Sequence, residues 1–146
     1  MYITQSDIMS ESIDYDTLVQ LTDKGDSGTV DDTSVDNAIT AACGEIDDLL
    51  RARYQVPFIT VPVIVRTIAL HLTAHKLYGL NKGFPRPETV KDDFNNSMKL
   101  LTQISTGGIK LGVPSSSGDI PAAPTDTGIL VSAPERRFGT ETMSSY

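Results

Sequence analysis

His71 and His75 stand one helical turn apart, a spacing at which two imidazoles on one face can hold zinc. The zinc-protease pattern needs a glutamate directly after the first histidine, and Leu72 stands there instead. No third ligand is marked. Histidines on the polar row of an otherwise apolar helix, exposed or at an interface, are the plainer reading. A second candidate begins at Asp23. Counted from there, Gly28, Val30 and Asp31 fall at the sixth, eighth and ninth positions of an EF-hand loop. Gly25, Ser27 and Ser34 occupy the third, fifth and twelfth positions, where carboxylates belong, so calcium affinity should be weak or absent. A Gly/Asp turn leading into a helix cap explains the same residues. Glu45, Asp47 and Asp48 suggest an acid/base pair, but adjacent residues on a helix diverge, and a solvated face is the simpler account. Cys43 has no partner cysteine and no base beside it, and reads as a small buried residue. No phosphate-cradling glycine loop, Gly-x-Ser-x-Gly elbow or Cys/His nucleophile pair is present. The chain reads as a non-enzyme with no cofactor and no metal.

The elements that carry these residues centre on 32–79. A first helix is expected over Asp32 to Tyr54, with Val35, Ala38, Ile39, Ala42, Ile46, Leu49 and Leu50 on one stripe. Thr33 is its expected N-cap, with Asp36 as capping-box partner. Pro57 keeps Val56 out of the helical region, so the helix must have ended by then. Pro62 suits the first turn of a second helix, with Thr60 available as its cap. That helix is expected over Pro62 to Tyr78, ended by Gly79. It is apolar on most sides, as a helix buried in a bundle must be. A third helix is expected over Glu88 to Ser105, with Val90, Phe94, Met98, Leu101 and Ile104 as its stripe, widened by Leu100. Short helices over Thr4 to Met9, capped by Thr4 or Ser6, and over Asp14 to Leu21 must pack on the main three, being too short to stand alone.

Composition bounds the rest. One domain suits 146 residues. With no tryptophan and 6% aromatics, the core is aliphatic. A single cysteine supplies no disulfide framework, which fits a reducing cytoplasm. No secretory signal is apparent at Met1–Thr4, and no apolar run is long enough to span a membrane. The net charge of −7 argues against sequence-independent nucleic-acid binding. Its distribution is uneven. Residues 1–50 hold 12 acids and one base, Lys24, whereas the remainder holds seven acids and 11 bases. A solubilising acidic face is one reading; two mutually attracting ends suited to head-to-tail association are the other.

From Gly107 the composition changes: four of the 8 prolines and six of the 11 glycines lie there. No helical period survives, although Ile109 to Val113 and Ile129 to Ser132 could be short strands. The expectation is an all-α domain over 1–106, a small bundle of three main helices, followed by an extended C-terminal arm over 107–146. Ile129, Leu130, Val131 and Phe138 are apolar enough to gain from burial. With Arg136 and Arg137 they form the candidate partner interface, an aromatic anchor flanked by charge.

The helix ending in Arg51-Ala52-Arg53-Tyr54-Gln55-Val56-Pro57 is followed by Val61-Pro62 and an apolar helix closing on Leu77-Tyr78-Gly79. The opening Met1-Tyr2-Ile3-Thr4, Leu21-Thr22-Asp23 before the Gly/Asp loop, and Ala133-Pro134-Glu135-Arg136-Arg137-Phe138 complete an ordered set. In this the chain resembles the small head-to-tail connector, or adaptor, proteins of tailed bacteriophages, in the version carried by Mu-like phages and prophages. The resemblance implies a structural virion protein of the neck, assembled in the host cytoplasm. It implies a homo-oligomeric ring, typically of twelve copies, beneath the portal protein. Such a ring extends the DNA channel, without sequence-specific DNA binding or membrane contact, and offers a surface to a neck, stopper or tail-terminator protein. The rival reading is a regulatory or chaperone-like binding module with a peptide-like tail.

Overall fold

A computed structural model describes residues 1–23, 25 and 27–114; the second candidate strand, Ile129 to Ser132, lies outside them. Five helices follow in order: α1 (Gln5–Glu11), α2 (Tyr15–Thr22), α3 (Asp32–Leu50), α4 (Val63–Leu80) and α5 (Glu88–Thr106). There is no strand among the described residues, so the all-α expectation holds. The one candidate strand within them, Ile109 to Val113, is irregular chain. Its Ile109, Leu111 and Val113 nevertheless pack against the bundle.

The helix α4 is central. It packs against α3 on one side and α5 on another, and α1 and α2 also lie on it. Val65, Ile68, Ala69, Leu70, Leu72, Thr73, Ala74 and Leu77 are all buried, which is more than one stripe can supply. The outer helices bury single stripes instead: Val35, Ala38, Ile39, Ala42, Ile46 and Leu50 of α3, and Leu101 and Ile104 of α5. Leu49, expected on the α3 stripe, lies at its edge and is 37% exposed.

The helix ends differ from expectation in instructive ways. Asp31, not Thr33, caps α3: its carboxylate accepts from the Thr33 N–H at 3.2 Å and from the Ser34 hydroxyl at 2.6 Å. A carboxylate is the stronger acceptor, and with Asp31 as cap the helix begins at Asp32 as expected, two positions before a Thr33 cap would start it. The helix also stops at Leu50, whose carbonyl accepts from both Arg53 and Tyr54 N–H groups at 2.9 Å. Beyond that turn Tyr54 and Phe58 both face inward, 4% and 9% exposed. The connector passes through a cis Val56–Pro57 bond. Pro62 is itself the N-cap of α4, without a side-chain cap from Thr60, and α4 runs through Gly79 to Leu80. At the N-terminus, Thr4 and Asp7 form the reciprocal capping box of α1. Gly107 ends α5 at φ 89°, a left-handed conformation in which a glycine carries no Cβ penalty.

Candidate partner interface

The residues that sequence chemistry singled out are occupied in holding the bundle together. His71 Nδ1 shares a hydrogen bond with Ser97 Oγ of α5 at 2.9 Å. The His75 ring stacks on Phe94 at 3.9 Å between centroids, with an interplanar angle of 16°. Arg86 Nη1 lies 2.9 Å from His75 Nε2. A guanidinium only donates, so His75 accepts there and is the neutral tautomer protonated at Nδ1. Burial lowers the His75 pKa, as do the charges of Arg86 and Lys76, against an opposing pull from Glu45. The two imidazoles therefore brace α4 against α5 and the loop before it. They are half-buried inside one chain, not on a solvated row.

The Asp23 loop spends its first carboxylate on its own backbone. Asp23 accepts from Gly28 N–H at 2.7 Å, Gly25 N–H at 3.0 Å and Ser27 Oγ at 3.2 Å. Among the described residues, no three His, Cys, Asp or Glu side chains are grouped so as to hold a metal ion. Asp47, expected on a solvated side, instead accepts from the Tyr2 hydroxyl, whose oxygen in turn accepts from Phe58 N–H at 3.3 Å. Burial and the Asp47 carboxylate push the Tyr2 pKa well above the ordinary phenol value, so the hydroxyl keeps its proton. Cys43 is buried and accepts from Tyr2 N–H at 3.4 Å. Glu45 pairs with Lys76 at 2.8 Å, joining α3 to α4.

One surface left open among the described residues is the connector between α3 and α4. Tyr54 to Val65 is the longest uncharged run in the chain. Its inner residues, Tyr54 and Phe58, close the end of the core: the Phe58 ring sits 5.7 Å from Tyr2 and 6.1 Å from Tyr54. Its outer residues project. Ile59 is 102% exposed and Val63 is 80% exposed. Beside them runs a groove of about 460 Å³ between the connector and Val113–Pro114. The Tyr54 hydroxyl fixes the far wall by accepting from Leu111 N–H at 3.3 Å. An apolar tip without charge on a protein of net charge −7 has the character of the centre of a protein–protein contact.

A family profile described as "Bacteriophage Mu, Gp36" matches residues 2–128. The chain belongs to the bacteriophage Mu Gp36 family. No curated protein sequence matches it. This Gp36-family chain is thus phage-associated, and the Mu-like resemblance stands at that level. Among the described residues no helix is long and apolar enough to cross a membrane. The arm residues expected as partner contacts, Ile129, Leu130, Val131, Arg136, Arg137 and Phe138, lie outside the described residues. The exposed pair Ile59 and Val63 is a surface that sequence reasoning missed. Its signal is the absence of charge from Tyr54 to Val65, which helical periodicity passes over because most of that run precedes α4.

Proposed function

We propose that this protein is a head-to-tail connector: copies close a ring, of twelve, beneath the phage portal, extend the DNA channel and present a docking surface to the next neck or tail protein. Membership of the bacteriophage Mu Gp36 family supports a phage setting. The observation that carries the reading is the polarity of the bundle. One end bears an uncharged apolar tip at Ile59 and Val63; toward the other lie exposed Asp14, whose charge acts on Tyr78 of α4, and exposed Asp32 at the start of α3. Unlike surfaces on one chain favour heterologous contacts, which make a ring when the rotation closes. An acidic lining would keep DNA phosphates from adhering during packaging and ejection. In this reading Ile129 to Phe138 engage the portal or a neighbouring subunit.

Electron microscopy of purified portal incubated with the protein tests this. The expected result is an added ring of density under each portal. Single copies scattered on the portal, or no binding, would reject the connector role; the first result would favour a monomeric binding module.

A further inference from the structure

The two ends of α4 carry surfaces that differ in shape and charge. At its start Ile59 and Val63 stand proud of the bundle. At its other end, roughly 27 Å away by helical rise, lies a groove of about 470 Å³ lined by Val19, Gln20, Asp23, Gly28, Asn81 and Phe84. The groove is preformed. Asn81 Nδ2 donates to Gln20 O at 2.9 Å, tying the end of α4 to α2, and Tyr78 supports the Phe84 ring at 6.0 Å. Val19 and Phe84 are half-buried and give it an apolar floor, with Leu80 40% exposed on the last turn of α4.

Charge distinguishes the ends further. Arg51 and Lys110 are exposed, one just before the connector and the other three residues before Val113, which lines the groove beside the projecting pair. Arg51 meets Asp48 at 2.6 Å, but that pair is about 70% exposed on both sides and exchanges readily for another partner. Aspartates border the groove, where exposed Lys82 also lies between Asn81 and Phe84. Asp23 lines the groove itself, and Asp32 borders the adjoining hollow with it. Burial and then the nearby Asp14 carboxylate push the Tyr78 phenol pKa up, which places Asp14 on the same side. The N–H groups of Gly28, Ser27 and Gly25 hold the Asp23 carboxyl below the usual range, so it keeps its charge.

We propose that the Ile59–Val63 tip of one copy seats in the Val19–Phe84 groove of a second copy, with Arg51 and Lys110 facing the aspartates at its rim. The contact has an uncharged centre and a charged edge, the usual anatomy of a specific interface. It is heterologous, so each copy gives one tip and offers one groove. The inference rests on the ring reading above and names the contact that builds the ring.

Full-length chains assembled on portals supply the test. Ile59→Cys and Gln20→Cys chains, mixed and mildly oxidised, should form a disulfide-linked pair. A chain carrying both substitutions should give a ladder beyond the dimer. The natural Cys43 is buried, 7% exposed, and serves as the unreactive control. Ile59→Asp should abolish ring formation, and because Ile59 is fully exposed its melting temperature should match the parent chain. Cross-linking of Ile59→Cys with itself in preference to Gln20→Cys would overturn the proposal, as would no cross-link. Rings that tolerate Ile59→Asp would reject this contact and leave the connector role standing. Failure of the unaltered protein to form rings would reject both.

Discussion

His75 accepts a hydrogen bond from a guanidinium, so a proton on Nε2 would set two cations against each other. Its pKa in the folded protein is accordingly held below the ordinary 6.5, first by burial and then by Arg86. The unfolded chain therefore takes up a proton in a range where the folded protein does not. Stability is fully present above about pH 6.5 and is lost as pH falls from there through the lowered folded value. Thermal melting between about pH 7.5 and pH 5.5 should record that loss, above the range where most carboxylates titrate. His75→Gln, which keeps an acceptor but cannot titrate, should flatten it. Nuclear magnetic resonance titration of His75 should give a midpoint below 6.5. A second prediction concerns Thr73. Its hydroxyl is buried on α4 and has no hydrogen-bond partner among the described residues. An unsatisfied buried polar group costs about 1–3 kcal/mol. Thr73→Val keeps the shape and removes the hydroxyl, so chemical denaturation should show a gain of about 1 kcal/mol with an unchanged m-value.

The helices were legible in the sequence because their patterns are long and consistent. The α3 stripe recurs over 19 residues and the α5 stripe over another 19, and the excess of buried positions on α4 is visible as an absence of polar faces. Their ends were less legible, because several residues compete for each cap. Asp31 and Thr33 are both good caps, and only the geometry shows that the carboxylate wins. Gly79 has the character of a stop, yet α4 continues past it. The approach of the Arg86 guanidinium, 3.3 Å from where a Cβ would lie, gives that glycine a packing role instead. The exposed tip was illegible for a different reason: Ile59 and Phe58 are neighbours of similar hydrophobicity, and one is fully exposed while the other seals the core. Only the packing of Phe58 against Tyr2 and Tyr54 shows which faces inward. The end of α5 offers a test at this scale. Gly107 has φ 89°, and the Arg53 guanidinium occupies the space a side chain would need. Gly107→Ala should cost about 1–2 kcal/mol from the left-handed backbone alone. Arg53→Ala in the same chain should relieve the crowding but not that backbone term, so denaturation of the single and double variants separates the two.

For the whole molecule, the described core and the candidate arm contacts occupy separate parts of the chain. The described core runs from Tyr2 to Ile104, and Ile109, Leu111 and Val113 extend it over the closed end of the bundle. The Tyr2–Phe58–Tyr54 cluster and the Leu111 N–H to Tyr54 hydroxyl bond join the first, middle and last described segments at that end. Every part of this core precedes the candidate arm contacts. A chain ending at Thr127, lacking Gly128 to Tyr146, should therefore fold with a helical circular-dichroism signal and a melting temperature close to the parent's. In the connector reading the same chain loses Ile129 to Val131 and Arg136 to Phe138, and with them its grip on the portal. Co-sedimentation with portals should fall to background. Normal attachment would show that the arm is dispensable, and a collapse in melting temperature would show that the segment after Thr127 helps to close the core. A cut after Gly107 should behave differently. It removes the three apolar side chains that cover the bundle end and leaves the Tyr54 hydroxyl without its N–H donor. Exposing buried apolar surface costs roughly 25 cal/mol per Å². The melting temperature should then drop by several degrees, which distinguishes a segment that belongs to the bundle from one that reaches for a partner.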